Sequence, residues 1–268
     1  RQLRTSEGPG ETALLDLDGD GDLDIVATLT QVAALQMFIN DGNGDFNDEA
    51  RVTYDGQLDF VAPLRLAGET DPSALIVGFL FSPQVGITTR QPNGNFETDL
   101  LIDFPDLQSG GILEGLGNIG LIWRDVATGD FNGDGFEDLA IVADQAPAPN
   151  RSTVVIFDGT ASGSFTHRQT IFLATDSGGT SSIAAGRLRS TDPIQLVVGG
   201  TLTSGRGVVT VLDNTSTISA SPFSVDATIS TGDSERSLSS VVIADLDGDG
   251  FSEIIGTHFL SDSVFIID

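Results

Sequence analysis

Three short segments of the sequence alternate acidic residues with glycine, and they share one pattern, Asp-x-(Asp/Asn)-Gly-Asp-Gly-x-x-(Asp/Glu). They cover residues 16–24, 130–138 and 245–253. Alternate side chains of so short a loop can point at one centre, and a hard cation takes six to eight oxygen ligands. Glycine at the fourth and sixth positions lets the backbone turn tightly enough for these oxygens to converge. The pattern therefore predicts a calcium ion in each loop, about three ions in all.

The ligands follow from the position of each residue in the pattern. Positions one, three, five and nine offer side-chain oxygens, and the variable position seven offers its backbone carbonyl, as in an EF-hand loop. The predicted metal ligands are Asp16, Asp18, Asp20, Asp22, Asp24, Asp130, Asn132, Asp134, Phe136, Asp138, Asp245, Asp247, Asp249, Phe251 and Glu253. Calcium is favoured over magnesium because the loop is flexible and rich in protein oxygens. Zinc is disfavoured because the chain has no Cys and only two His.

Two other interpretations of the acidic segments are weaker. An EF-hand needs a bidentate Glu at position 12 and flanking helices, whereas position 12 is Ala27, Ile141 or Gly256 and a strand-like sequence follows. Plain solvated turns would place four or five carboxylates within nine residues, where they repel one another unless a cation compensates them.

The acidic segments belong to a longer internal repeat. Two degenerate copies, at 65–78 and 186–199, share Thr-Asp-Pro but have lost the alternating acids. The five copies are about 54 residues apart, and between them short runs rich in Val, Ile and Phe are bounded by Gly, Asn and Asp. Such spacing predicts an all-β fold, a β-propeller of five blades with four antiparallel strands each.

The repeat also predicts boundaries within a single domain, 1–268. The units are 6–54, 55–118, 119–176, 177–233 and 234–268, and the last unit is short of one outer strand. Residues 1–5 match the missing piece, so an N-terminal strand is expected to complete the fifth blade. The alternatives are a linear array of five separate motifs or a fragment of a longer propeller.

Composition excludes several classes of partner. The formal net charge is −27, and all 12 basic residues are Arg. Such a surface repels nucleic acid and anionic lipid. The longest apolar run, 74–81, is far shorter than the ~20 residues that span a bilayer. We therefore expect no nucleic-acid partner and no membrane insertion. Because Cys is absent, bound metal is the expected substitute for disulfides in an exported protein.

Residues 127–142, Ala-Thr-Gly-Asp-Phe-Asn-Gly-Asp-Gly-Phe-Glu-Asp-Leu-Ala-Ile-Val, resemble the core of an FG-GAP or VCBS repeat, and residues 40–46 resemble its hairpin. The resemblance implies blades with calcium loops at the strand connections, as in the integrin α-subunit propeller, fungal sugar-binding propellers and bacterial surface proteins. Two departures matter. Integrin-like rings have seven blades, and units two and four of this chain lack the ligands.

The resulting expectation is a secreted or cell-surface recognition and adhesion module that binds a glycan or an extracellular protein. Trp123 and Arg124 form a candidate ligand surface, although a lone Trp is usually a core residue. No catalytic signature is present, so an enzyme is not expected. The alternatives are a polysaccharide lyase or glycosidase using Glu97, Asp99 or Glu114, and a structural domain that self-associates in a surface filament or large adhesin.

Overall fold

The computed structural model describes residues 3–5, 7–80, 84–103, 120–146, 152–173, 177–189, 192–215, 222–231, 237–258 and 263–268. These residues form β-strands and no helix, so none of them belongs to a helix that could cross a bilayer. The strands are β1 (Pro9–Leu15), β2 (Asp24–Leu29), β3 (Ala34–Asn40), β4 (Phe46–Thr53), β5 (Leu58–Leu64), β6 (Ala74–Phe79), β7 (Gln84–Arg90), β8 (Phe96–Asp103), β9 (Gly120–Gly129), β10 (Asp138–Ala146), β11 (Ser152–Gly159), β12 (Phe165–Phe172), β13 (Ser177–Gly186), β14 (Gln195–Leu202), β15 (Gly207–Asn214), β16 (Phe223–Ser230), β17 (Leu238–Ala244), β18 (Glu253–His258) and β19 (Ser263–Ile267).

The strands form five antiparallel sheets, and each sheet lies within one of the five predicted repeats. Sheets β1–β4, β5–β8, β9–β12 and β13–β16 are four-stranded meanders, and β17–β19 is a three-stranded one. We number them blades 1 to 5. The predicted all-β fold with propeller blades is confirmed. The predicted closing strand, 1–5, includes Arg1 and Gln2, which lie outside the described residues, so closure stays a prediction.

The chain divides into two compact units, 1–118 and 119–268. The first contains blades 1 and 2, and the second contains blades 3, 4 and 5. Within each unit the first strands of successive blades lie side by side, β1 beside β5 in the first, and β9, β13 and β17 in order in the second.

Burial explains why the middle strands are almost continuous apolar runs. Strands β3 and β6 are buried along nearly their whole length, as are β11 and β14, because both faces of a blade are covered. The outer strand β16, by contrast, is buried only at Phe223 and is exposed or half-buried along the rest of its length. Core clusters form in both units, around Met37 and Val77 in the first and around Val142 and Val209 in the second.

A recurring hydrogen bond joins neighbouring blades inside each unit. A polar side chain four residues before the end of a blade's first strand accepts the backbone N–H of the next blade's first strand. The pairs are Glu11 with Val61 (3.1 Å), Asp125 with Ile183 (2.8 Å) and Ser182 with Val241 (3.3 Å). The contact therefore fixes how far successive first strands slide past each other.

Candidate metal centre

The three acidic segments occupy the same place in their blades. Each begins directly after the first strand and ends on the first residue of the second strand. The residues that flank the loops are paired in the same way, Leu15 with Asp24, Gly129 with Asp138 and Ala244 with Glu253. We call these segments loop 1 (16–24), loop 3 (130–138) and loop 5 (245–253). Because the register is equal, corresponding residues of the three loops occupy equivalent positions relative to the strands. We call this arrangement the loop frame.

The first carboxylate of each loop organises the backbone around it. In loop 1 the two oxygens of Asp16 accept the N–H groups of Gly19 (2.7 Å) and Gly21 (2.9 Å). Asp130 and Asp245 accept the glycine N–H groups of loops 3 and 5 in the same way. The chain thereby wraps around its first carboxylate.

This wrapping requires glycine at the fourth and sixth positions. In loop 3, Gly133 has φ +79° and Gly135 has φ +91°, and loops 1 and 5 show the same pair of positive values. An added Cβ would meet no atom within 4 Å at either residue. The requirement is therefore conformational, since only glycine adopts this region without strain.

The ninth residue of each loop is a buried acid. Asp24 and Asp138 are fully buried, and Glu253 is 9% exposed. Each accepts the N–H of the second loop residue at 2.8 Å. Asp24 also accepts the N–H of Asn40, at the end of β3 (2.8 Å). The acid therefore ties the start of the loop to its own blade.

Carboxylates converge in two of the three loops. Oxygens of Asp16, Asp18 and Asp24 lie within 4.8 Å of one another, and those of Asp245, Asp247 and Asp249 do the same. Loop 3 has Asn132 at the third position, and its Nδ2 donates to Asp134 (3.0 Å). Carboxylate and amide oxygens keep lone pairs beyond those used by the loop N–H groups, so these two donor sets fit a hard cation.

Electrostatics within the loops favours a compensating positive charge. The pKa of Asp138 is raised to about 7, mainly by burial; repulsion from Asp158 and Asp134 adds to the rise, and backbone N–H hydrogen bonds offset part of it. Desolvation raises the pKa of Asp18, and the charges of Asp20 and Asp24 add to that rise. The same crowding that raises these pKa values would attract a divalent ion.

One of the three loops lies in a segment that matches a known repeat family. Residues 123–157 match the family model of the FG-GAP repeat. This span runs from β9 through loop 3 to β11, so the predicted resemblance is confirmed at blade 3. No curated protein matches the chain. Blade 3 is therefore similar to an FG-GAP repeat, and loops 1 and 5 have the same register and hydrogen-bond pattern as the loop of that matched segment.

The structure changes the interpretation of Trp123 and Arg124. Trp123 is completely buried, so it is a core residue and cannot be part of an exposed ligand surface. Arg124 is about one-third exposed, and its Nε donates to Asp144 at 3.0 Å. Asp144 also accepts the Thr180 amide and hydroxyl from blade 4. Arg124 therefore belongs to a hydrogen-bonded network that joins blades 3 and 4.

Not every predicted ligand joins a carboxylate cluster. Asp20, Asp22 and Glu253 lie outside both groups of converging acids, and loop 3 forms none among its carboxylates. Phe251 at position seven is 53% exposed. A phenyl ring has no oxygen to bind a cation, so the backbone carbonyl of this residue remains the predicted ligand. The sequence alone did not predict that Glu11 and Asp125 accept hydrogen bonds from the next blade. The signal that could have indicated it is an acidic residue within a sequence that otherwise predicts a β-strand.

Proposed function

We propose that this chain is a calcium-stabilised extracellular recognition module that binds carbohydrate, with one Ca²⁺ in each of loops 1, 3 and 5. The convergence of carboxylate oxygens within 4.8 Å in loops 1 and 5 is the observation that carries the metal assignment. The FG-GAP match supports it, because repeats of this family commonly bind calcium and typically occur in extracellular domains.

The metal would be held by oxygen donors on a preformed frame. Asp16 and its glycine hydrogen bonds keep the loop curled, and the buried Asp24 anchors the far end. Bound calcium supplies the positive charge that offsets the clustered carboxylates. An all-oxygen donor set in a flexible loop favours calcium over magnesium, which demands strict octahedral geometry.

A groove in the first unit is the surface best suited to a ligand. It has a volume of about 790 Å³ and lies beside the ends of β4 and β6 and the start of β8. The half-buried rings of Tyr54 and Phe96 supply aromatic surface, while Asp55 and Glu97 supply exposed carboxylates. Aromatic rings pack on the C–H faces of a sugar, and acids accept its hydroxyl groups, so the lining suits a saccharide.

We propose binding rather than catalysis. Among the described residues, the groups of three converging acids both lie in metal loops. The alternative enzyme was expected to use Glu97, Asp99 or Glu114. Of these acids, Glu97 lines the groove, the side chain of Asp99 is not described, and Glu114 lies outside the described residues.

Calcium titration by calorimetry tests the metal assignment. The wild-type chain should bind three ions, and Asp18→Ala and Asp247→Ala should each remove or weaken one site. Asp226→Ala removes the same charge from an exposed position on β16 and should leave the count at three. Equal titrations for all four proteins would contradict the assignment.

A glycan array on the calcium-loaded chain tests the ligand class. Glu97→Gln and Asp55→Asn should weaken the signal on any bound glycan, and Asp226→Asn should not. Absence of glycan binding, with calcium bound normally, would redirect the search to extracellular proteins.

A further inference from the structure

The loops of blades 2 and 4 sit in the frame of the metal loops but begin with a base. In blade 4, Gly186 pairs with Gln195, which matches the register around loops 1, 3 and 5. We call residues 187–195 loop 4, of which 187–189 and 192–195 are described. In blade 2, Leu64 pairs with Ala74, so loop 2 (65–73) is the same frame with one more residue before the second strand. The first position, an aspartate in each acidic loop, is Arg65 in loop 2 and Arg187 in loop 4.

The side chain at this first position donates hydrogen bonds in loops 2 and 4, whereas it accepts them in the acidic loops. In the acidic loops the side chain accepts backbone N–H groups from within the loop. In loop 2, Nη1 of Arg65 donates to the carbonyl of Glu69 (3.4 Å). In loop 4, Nη1 of Arg187 donates to the carbonyl of Asp192. The arginine thus draws loop carbonyls inward, as a cation does.

The far end of each loop has lost its negative charge. In loop 4, Oε1 of Gln195 accepts the N–H of Leu188 (3.2 Å), the same contact that Asp24 makes in loop 1. In loop 2 the residue that opens the second strand is the buried Ala74. Loop 1 has five acids and no base, whereas loop 4 has two arginines and one acid. Loop 4 therefore has the same hydrogen bond to its second residue, but a neutral glutamine accepts it in place of an acid.

We propose that the guanidinium groups of Arg65 and Arg187 take the place of a bound cation, so loops 2 and 4 are closed without metal. A fixed positive charge at position one repels a divalent ion, and its N–H donors bind a backbone carbonyl of the same loop, at position five in loop 2 and position six in loop 4. This inference rests on the proposed calcium sites for its comparison, but the arginine contacts are present without them.

Loop 4 also supports its metal-binding neighbour. The N–H of Ser252 in loop 5 donates to the carbonyl of Leu188 in loop 4 (2.8 Å). Arg189 forms a β-bridge with Phe251, and its guanidinium lies 5.7 Å from the centre of that ring. A loop 4 that holds its shape without calcium therefore keeps part of loop 5 in place when the metal leaves.

Hydrogen exchange of the full chain, followed by mass spectrometry with calcium and with chelator, tests the proposal. Chelation should speed exchange in peptides covering loops 1, 3 and 5 and leave those covering 65–73 and 187–195 unchanged. Arg187→Gln should speed exchange in 187–195 by about three- to tenfold in both conditions, because one charge-assisted hydrogen bond is lost. Arg206→Gln, an exposed residue in the β14–β15 turn of the same blade, removes the same charge and should leave 187–195 unchanged.

The outcomes separate the two proposals. If chelation changes exchange nowhere, the calcium assignment fails, while the Arg187→Gln result still decides the role of the guanidinium. If chelation speeds loops 2 and 4 as much as the others, or if Arg187→Gln behaves like Arg206→Gln, the substitution of cation by arginine is refuted.

Discussion

Asp125 offers a pH-dependent test of the contact between blades 3 and 4. Its oxygens accept the N–H groups of Val126 and Ile183, both at 2.8 Å. Burial nevertheless raises its pKa from 3.8 to about 6, although these hydrogen bonds, and one from Ser182, lower it. The perturbation is Asp125→Asn, which removes the titrating group and keeps its size.

The sign of the effect follows from the raised pKa. Between about pH 4 and pH 6 the folded chain holds a proton that the unfolded chain has released, so the stability contributed by Asp125 falls as pH rises. The full difference, about two pKa units, corresponds to about 3 kcal/mol, or about 1.4 kcal/mol per pH unit inside this window. Below pH 4 and above pH 6 the contribution is constant.

Urea unfolding in chelator, followed by the fluorescence of the buried Trp123, measures this contribution. The free energy of unfolding of the wild type minus that of Asp125→Asn should fall by up to about 3 kcal/mol from pH 4 to pH 7. Taking the difference cancels the titration of the loop carboxylates. A difference that is flat with pH, or that rises, would refute the assignment of a buried carboxylate whose ionised form is disfavoured by burial.

Two further substitutions test the loop frame and the inter-blade contact. Gly133→Ala should cost about 1–2 kcal/mol through its positive φ and also weaken the calcium response in melting curves, whereas Gly163→Ala, with φ +76° in a hairpin of the same blade, should cost similar stability and leave the calcium response intact. Glu11→Ala leaves the N–H of Val61 without its acceptor and should destabilise the first unit by about 1–3 kcal/mol in denaturant unfolding, while Glu11→Gln, which keeps an oxygen, should lose less; equal losses would contradict the contact.

Much of the fold could be predicted because each copy of the internal repeat contains the signals for its own strands and turns. Val/Ile runs bounded by Gly and Asn predict strands, and the spacing of the acidic segments predicts blades. The paired glycines of loops 1, 3 and 5 adopt the positive φ that their positions predicted. Local chemistry is enough for such features, since each depends on residues a few positions apart.

Other features depend on distant partners and were not predictable from local sequence. Trp123 lies in a strand whose burial is set by neighbouring β-strands, so the local sequence could not show that it is a core residue and no part of a ligand surface. Asp125 and Ile183 are 58 residues apart, and no local pattern connects them. The role proposed for Arg187 depends on the register of Gly186 with Gln195, which aligns loop 4 with the acidic loops and cannot be read from the local sequence.

The most direct test of the calcium assignment is to count bound metal in the purified chain and to melt the same sample with calcium and with excess chelator. We expect about three calcium ions per chain and a large loss of stability on chelation, because each filled site contributes about 2.7 kcal/mol at a hundredfold excess over its Kd. No bound metal and identical melting curves would contradict the calcium sites and the recognition function built on them.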